Sequence, residues 1–293
     1  MRSVSPQRSG VGAGPVGLVL AGVGSVQFGA AIAKTLFDDL GPAGTVLLRL
    51  GFAALLLVAF WRPRVAGLSR RQLVTAGLFG LSLGGMNLVF YEALDRIPLG
   101  IAVTFEFVGP LGVAVAGSRR PLDVAWVVLA AAGILLLSGG SSDLDPVGVA
   151  FALLAGAFWA AYILLSARIG RAFPGGRGLA LAMVVGTLAV APFGIPDGGG
   201  ALLEPGLLAL GAGVALLSSV IPYSLELEAL RRMPPRVFGV LMSLEPGVAS
   251  LAGFLLLSQA LTALEGVAIA LVVAASAGAA LTARDVPPPV DPP

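Results

Sequence analysis

The sequence predicts an all-α membrane protein of ten transmembrane helices, which form two inverted five-helix repeats around a central cavity. The prediction rests on the composition, the spacing of apolar stretches and the distribution of basic residues. Of the 293 residues, 57% are hydrophobic and 12% are charged, and the mean hydropathy is +0.96. An ordinary soluble domain is about 25% charged. A chain with so few charges is expected to face lipid.

Each predicted helix follows from an apolar stretch long enough to cross a bilayer, which takes about 20 residues. Ten such stretches follow one another along the chain: 14–34, 42–61, 72–92, 98–116, 122–139, 147–167, 178–196, 206–229, 236–257 and 261–282. The connections are too short to hold a soluble domain. A cleaved signal peptide is the alternative for the N-terminus, although the first apolar stretch is longer than a usual signal core.

Basic residues predict the orientation, because cytoplasmic loops carry an excess of Lys and Arg. With the N-terminus inside, the cytoplasmic segments hold fifteen basic residues and the external segments hold two, Lys34 and Arg96. Arg49 lies within a helix. The bias predicts that both termini are cytoplasmic, residues 1–13 as an N-terminal tail and residues 284–293 as a Pro-rich tail.

A weak internal repeat divides the chain. The Pro-Val-Gly string at 15–17 recurs at 146–148, and Glu-Ala-Leu at 92–94 recurs at 228–230, each time followed by two prolines twelve residues apart. The predicted repeats are 14–140 and 146–283. Because five helices is an odd number, the second repeat enters the membrane inverted, as in many secondary transporters. Chance similarity between Ala- and Leu-rich helices is the alternative.

Polar side chains within the apolar stretches predict the lining of the cavity, since an ionisable group in hydrocarbon costs a few kcal/mol. The candidate substrate-binding or coupling residues are Gln27, Lys34, Arg49, Asn87, Tyr91, Glu106, Trp159, Tyr162, Tyr223, Glu226 and Glu245. Two cations and three carboxyls suit the two charges of an amino acid, and the surplus carboxyl suggests a coupling proton. The alternatives are structural: snorkelling for Lys34, an ion pair for Arg49 and packing for the aromatic residues.

Three prolines are expected to interrupt helices. Pro110, Pro222 and Pro246 have no N–H to donate, so each frees the carbonyl four residues earlier. The freed carbonyls belong to Glu106, Ser218 and Met242. Unpaired carbonyls at membrane depth need water, a neighbour or a ligand. The glutamates beside these breaks are therefore strong candidates for the cavity wall.

Three other acidic residues are predicted to be structural. Asp145 precedes a proline as a helix N-cap, and Glu265 completes a capping box with Thr262. Glu228 lies near the membrane surface beside two arginines and is expected to form an ion pair there.

Absent residue types exclude several functions. The chain has neither cysteine nor histidine, which excludes disulfides, thiol chemistry, histidine acid–base catalysis and zinc sites built on these ligands. It also lacks a nucleotide-binding P-loop. We expect a transporter rather than an enzyme, with no cofactor, no metal and no nucleic-acid partner. A membrane enzyme and a channel or scaffold are the alternatives.

Several strings resemble the EamA group of drug/metabolite transporters, and within it the bacterial inner-membrane threonine/homoserine exporters. They are 82–87 with 90–91, 98–103, 106–107 with 109–110, 118–121, 222–226, 238–239 and 241–246. The chain departs from many members of the group at Ser258-Gln259, where they have Gly-Glu.

The resemblance implies an inner-membrane protein with two inverted repeats and a central cavity. It also implies the export of small neutral amino acids. A different small metabolite or a drug-like amine is the alternative substrate. The expected partners are the substrate, membrane lipid and a coupling proton, with a homodimer left open.

Overall fold

Helices account for all of the regular structure in the part of the chain that the computed structural model describes, residues 13–116, 121–140, 144–230, 232–233 and 235–282. They are α1 (Ala13–Lys34), α2 (Phe37–Trp61), α3 (Arg70–Arg96), α4 (Leu99–Glu106), α5 (Val108–Ala116), α6 (Pro121–Gly140), α7 (Pro146–Ala172), α8 (Arg177–Gly198), α9 (Pro205–Ala215), α10 (Ile221–Leu230), α11 (Pro235–Met242), α12 (Glu245–Leu257) and α13 (Ala263–Thr282). A 3₁₀ turn, Gly199–Leu203, and a π-helical turn, Leu216–Val220, complete the set.

Eight of the helical segments in these residues are long and apolar enough to cross a membrane, and two shorter apolar segments, Leu99–Val113 and Val124–Leu137, lie between them. The protein is therefore a multi-pass membrane protein. Each predicted stretch coincides with one helix or with two or three consecutive elements. The predicted tails, apart from Ala13, lie outside the described residues.

Large apolar side chains cover the outside of the bundle. Leu55, Phe60, Leu135, Leu188 and Phe193 are between 58% and 78% exposed. In water such a surface would drive association, whereas in a bilayer it contacts lipid tails. At several contacts between helices inside the bundle, glycines stand where large side chains could have been.

Close helix contacts depend on paired glycines. Gly44 of α2 lies against Gly198 of α8, and Gly84 of α3 lies against Gly186 of α8. A Cβ at Gly84 would come within 2.8 Å of the Gly186 carbonyl oxygen. Small residues let helix backbones approach closely enough to pack in a membrane, and α8 is thereby held against both α2 and α3.

The three prolines interrupt their helices at the predicted places. The α4–α5 segment breaks at Phe107, ahead of Pro110, and α11–α12 breaks at 243–244, ahead of Pro246. The π-helical turn precedes Pro222. The missing N–H of each proline accounts for these positions.

The acids predicted to be structural are confirmed as such. The Asp145 side chain accepts a hydrogen bond from Val147 N at 2.8 Å, and Thr262 and Glu265 form both bonds of a capping box. Glu228 forms an ion pair with Arg232. Sequence reasoning missed a fourth such acid, Asp197, which holds the start of α2.

That start is kinked. Gly41 has a φ of 66°, a conformation that favours glycine. Just past it, Ala43 N donates to Asp197 Oδ2 at 2.9 Å. The carboxylate of α8 thus satisfies a backbone N–H that the kink leaves free.

Candidate functional site

A cavity of about 500 Å³ lies within the helix bundle. Residues from α1, α2, α3, α4, α5, α7, α10, α11, α12, α13 and the π-helical turn line it. Ligand sites of drug-sized molecules occupy about 300–1,000 Å³, so the space is ample for a small metabolite.

Nine of the eleven candidate residues line this cavity. They are Gln27, Arg49, Asn87, Glu106, Trp159, Tyr162, Tyr223, Glu226 and Glu245. The other two do not. Lys34, the last residue of α1, donates to the backbone carbonyl of Leu94 near the end of α3. Tyr91 is fully buried behind the wall.

Arg49 links three elements around the cavity. Its Nη1 donates to the Tyr91 hydroxyl and its Nη2 donates to the Ser218 carbonyl, both at 3.0 Å. Its guanidinium lies 5.5 Å from the centre of the Tyr91 ring. The Ser218 carbonyl is the one that Pro222 frees, so the predicted orphan acceptor is satisfied by a cation. Among the described residues no carboxylate lies within 4.0 Å of Arg49.

Three carboxyls share the cavity. Glu106 ends α4 and is 8% exposed, Glu245 opens α12 and is 5% exposed, and Glu226 of α10 is partly buried. Glu245 is near enough to both other carboxyls for electrostatic repulsion, and Glu106 is near enough to Arg49 for attraction. No hydrogen bond to these three side chains is found within the described ranges. With one arginine against three carboxyls, the cavity suits a cation or a proton bound to one of the carboxyls.

Aromatic side chains form another part of the wall. Trp159 contacts Phe107 edge to face, with ring centres 5.1 Å apart. The Tyr162 ring stacks on that of Phe79, with ring centres 4.8 Å apart, and its hydroxyl lies near that of Tyr223. These contacts fix the rings at the cavity surface, where a cation or an apolar side chain could pack on them.

Metal-ligand groups are not found among the described residues, where no three His, Cys, Asp or Glu side chains are grouped as metal ligands would be. The chemistry of the cavity is therefore that of carboxyls, one guanidinium, hydroxyls and amides.

Known proteins share this sequence over most of its length. The pattern of the EamA-like transporter family matches residues 146–281. The threonine/homoserine exporter RhtA of Salmonella typhimurium strain LT2 is 43% identical over 276 residues, 93% of each chain. That of Escherichia coli strain K12 is 43% identical over 273 residues, 92% of each chain. The chain belongs to the EamA-like transporter family. It is a membrane transporter rather than an enzyme.

A solved structure shares the fold of this EamA-like transporter. It is described only as a crystal structure of a protein, is 18% identical, and matches with a TM-score of 0.62 over 91% of this chain and 97% of that chain. At this identity the likeness concerns the fold alone.

Sequence reasoning missed two cavity serines of this EamA-like transporter, Ser218 and Ser276. Both are buried, and neither hydroxyl has a hydrogen-bond partner among the described atoms. Ser218 had been noted only for its carbonyl. Ser276 is the single polar side chain in an Ala- and Val-rich part of α13, which is the signal that could have identified it.

Gln259 was singled out only as a departure from the family pattern. In the structure its Oε1 accepts a hydrogen bond from Leu99 N at 3.0 Å. The side chain therefore caps the N-terminus of α4, which leads directly to Glu106.

Proposed function

We propose that this transporter exports small neutral amino acids of the threonine and homoserine kind from the cytoplasm in exchange for protons. One observation carries the proposal: three carboxyls and one arginine surround a single cavity in a bundle of apolar helices. A carboxyl can bind either an ammonium group or a proton. The substrate and the proton can therefore use the same site in turn. The name of its relatives, 43% identical over most of the chain, supports the substrate class.

The proposed fold is ten membrane spans in two inverted repeats. Pro110 and Pro246, which break α4–α5 and α11–α12, are 136 residues apart, as are the Glu-Ala-Leu strings at 92–94 and 228–230. Helix contacts follow the same correspondence: α3 packs on α7 as α10 packs on α1, and α6 packs on α13. The two shorter apolar segments bring the number of spans from eight to ten.

The proposed orientation places both termini in the cytoplasm of a bacterial cell, with the protein in the inner membrane. The cavity then opens inward, because its lining reaches the cytoplasmic ends of α11 and α13 at Phe238 and Ala280. The external ends are closed: Leu94 and Leu99 are fully buried. This is the state that accepts substrate from the cytoplasm.

The proposed exchange moves one positive charge into the cell in each cycle, because the exported zwitterion carries no net charge. Facing inward, a deprotonated carboxyl pairs with the substrate ammonium. After the bundle opens outward, a proton from outside binds to the carboxyl and the amino acid dissociates. The protonated carrier returns and releases the proton inside, so one proton enters for each amino acid exported. A buried carboxylate without a partner costs free energy. The carrier is therefore expected to change sides only when the substrate or a proton occupies the carboxyl.

Efflux from vesicles tests the function. Purified protein in proteoliposomes loaded with labelled L-threonine, L-homoserine or a drug-like amine should release the two amino acids, faster when the outside is more acidic. Unlabelled external substrate should stimulate release, which a channel would not show. No efflux of any amino acid would contradict the proposal. Preferential efflux of the amine would favour the alternative substrate class, which the aromatic wall and surplus carboxyls also suit.

Cysteine labelling tests the orientation, because the chain has no native cysteine. Val65 and Leu203 are 57% and 79% exposed and lie on opposite sides in the proposed topology. In intact cells a membrane-impermeant reagent should label Leu203→Cys and not Val65→Cys. The reverse pattern would overturn the orientation.

A further inference from the structure

Unpartnered buried polar atoms are concentrated around the cavity. Among the described residues, the buried side-chain atoms without a hydrogen-bond partner are Gln27 Oε1, Arg49 Nε, Ser218 Oγ and Ser276 Oγ. All four residues line the cavity. A buried polar atom without a hydrogen bond is costly, and native structures keep few of them. Because all four residues line the cavity, a polar ligand bound there is the group that would supply the missing hydrogen bonds.

Three of the four residues lie on elements that pack together. Gln27 is on α1, Arg49 on α2 and Ser218 in the π-helical turn, and both helices contact that turn. Arg49 Nη2 reaches the Ser218 carbonyl, and Gly29 of α1 lies directly against the Ser218 hydroxyl. We call Gln27, Arg49 and Ser218 the polar corner. Ser276 lies apart from it, on α13.

The polar corner is fixed before any ligand arrives. Both terminal nitrogens of Arg49 are occupied, by the Tyr91 hydroxyl and the Ser218 carbonyl. Nε is the guanidinium nitrogen that has no hydrogen-bond partner among the described atoms. The Ser25 hydroxyl donates to the Leu217 carbonyl at 2.6 Å and holds the same turn from α1. A site held in this way loses little conformational freedom on binding.

The donors of the polar corner suit an anion. Arg49 supplies a charged N–H, and Ser218 supplies a hydroxyl that binds nothing else among the described atoms. Charge-assisted hydrogen bonds to a carboxylate are about twice as strong as neutral ones. The other charged groups of the cavity, Glu106, Glu226 and Glu245, repel an anion and attract a cation.

We propose that the polar corner binds the α-carboxylate of the substrate through Arg49 Nε and Ser218 Oγ, while Gln27 Oε1 accepts a hydrogen bond from the adjacent ammonium. This rests on the proposed function and adds a specificity to it: the transporter selects amines that carry a free carboxylate. Lys34, the other cation considered for this role, is held at the Leu94 carbonyl and takes no part.

Binding of two matched ligands tests the proposal. L-threoninamide keeps the ammonium and the hydroxyl of L-threonine but replaces its carboxylate with a neutral amide. Purified protein in lipid nanodiscs should bind L-threonine at least about tenfold more tightly, as expected for one hydrogen bond to a charged group. Ser218→Ala should remove most of this preference by weakening L-threonine binding, and should change L-threoninamide binding by less than about twofold.

Ser276→Ala is the matched control, because it removes the same unpartnered hydroxyl from another wall. It should leave the preference between the two ligands unchanged. Gln27→Glu provides a second variant. Its carboxylate attracts the ammonium of both ligands and repels only the carboxylate of L-threonine, so the preference for L-threonine should fall. This variant also tests the proposal if Ser218→Ala folds poorly.

Each other outcome overturns a distinct claim. A wild-type protein that binds neither ligand contradicts the proposed function together with this inference. A wild-type protein that binds both equally contradicts selection for a carboxylate and leaves an amine exporter. A preference that survives both Ser218→Ala and Gln27→Glu places the carboxylate elsewhere in the cavity.

Discussion

The two proline-broken segments, α4–α5 and α11–α12, place a glutamate in the same cavity by different means. Glu106 is the last residue of α4, four positions before Pro110. Glu245 is the first residue of α12, directly before Pro246. Helix C-termini carry partial negative charge and N-termini partial positive charge, worth about 0.3–1 kcal/mol to a nearby carboxylate. The helix ends alone therefore favour the carboxylate form of Glu245 over that of Glu106. The neighbouring charges act in the opposite sense, because Arg49 attracts Glu106 and the other two carboxyls repel Glu245.

The two segments also differ in how firmly they are packed. All eight residues of α4 are buried, its first N–H is capped by Gln259, and Gly156 of α7 lies against the freed carbonyl of Glu106. In α11, residues 237–242 are all partly exposed. The first break is locked into the bundle, whereas the second is held by fewer buried contacts and is the part we expect to move.

The largest expected effect comes from Glu106→Gln. If Glu106 is the carboxyl that takes the proton, the amide keeps its shape and hydrogen bonding but cannot titrate. Proton-driven efflux should fall below about a hundredth of the wild-type rate, while exchange of internal for external substrate continues. The measurement is both fluxes in proteoliposomes, normalised to folded protein. Normal driven efflux by well-folded Glu106→Gln would end this assignment.

Glu245→Gln tests whether the helix ends outweigh the neighbouring charges. If they do, Glu245 stays ionised and is suited to hold the substrate ammonium. We expect the KM of both driven efflux and exchange to rise about tenfold or more, with coupling to the proton gradient retained. Determining KM with and without an imposed pH gradient distinguishes the two glutamates. Identical phenotypes for the two variants would show that the helix ends do not divide their roles.

Packing at the two breaks gives a smaller effect, on stability. A Cβ at Gly156 would come within 2.6 Å of the Glu106 carbonyl oxygen, whereas one at Gly247 in α12 would meet nothing within 4 Å. Overpacking costs about 1–3 kcal/mol, so Gly156→Ala should lower the melting temperature by about 5 °C. Gly247→Ala is the control and should leave it unchanged or raised. Equal melting temperatures would contradict a locked first break.

The sequence predicted the helices and most of the cavity wall because both follow from local patterns. Apolar length marks the spans, and Pro110, Pro222 and Pro246 mark the breaks. It misplaced Lys34 and Tyr91 because a helix stripe does not specify which neighbour covers it. Tyr91 lies behind Arg49, and this contact between residues 42 positions apart depends on how α2 and α3 pack.

The role of Gln259 was missed for a related reason. In the sequence it stands only as a substitution for the glutamate of many family members. Its partner, Leu99 N, is 160 positions away, and no local pattern joins them. The role of Asp197, which accepts a hydrogen bond at the kinked start of α2, was missed for the same reason. Caps supplied from a distant helix become visible only once the bundle is assembled.

The smallest expected effect concerns this cap. Gln259→Ala leaves Leu99 N without its acceptor and should cost about 1 kcal/mol, a shift of about 2–4 °C in the melting temperature. Gln259→Glu restores the residue type of the family pattern and keeps an oxygen at the same place. A negative charge at the N-terminus of α4 is favourable, so this variant should be as stable as the wild type or more so. α12 has no side-chain cap at Leu244. We therefore expect the Gln259 substitutions to affect the α4–α5 segment and not the α11–α12 segment. Thermal melts of the two variants in nanodiscs decide it, and a destabilised Gln259→Glu would show that Gln259 acts through its amide N–H₂ and not as a cap.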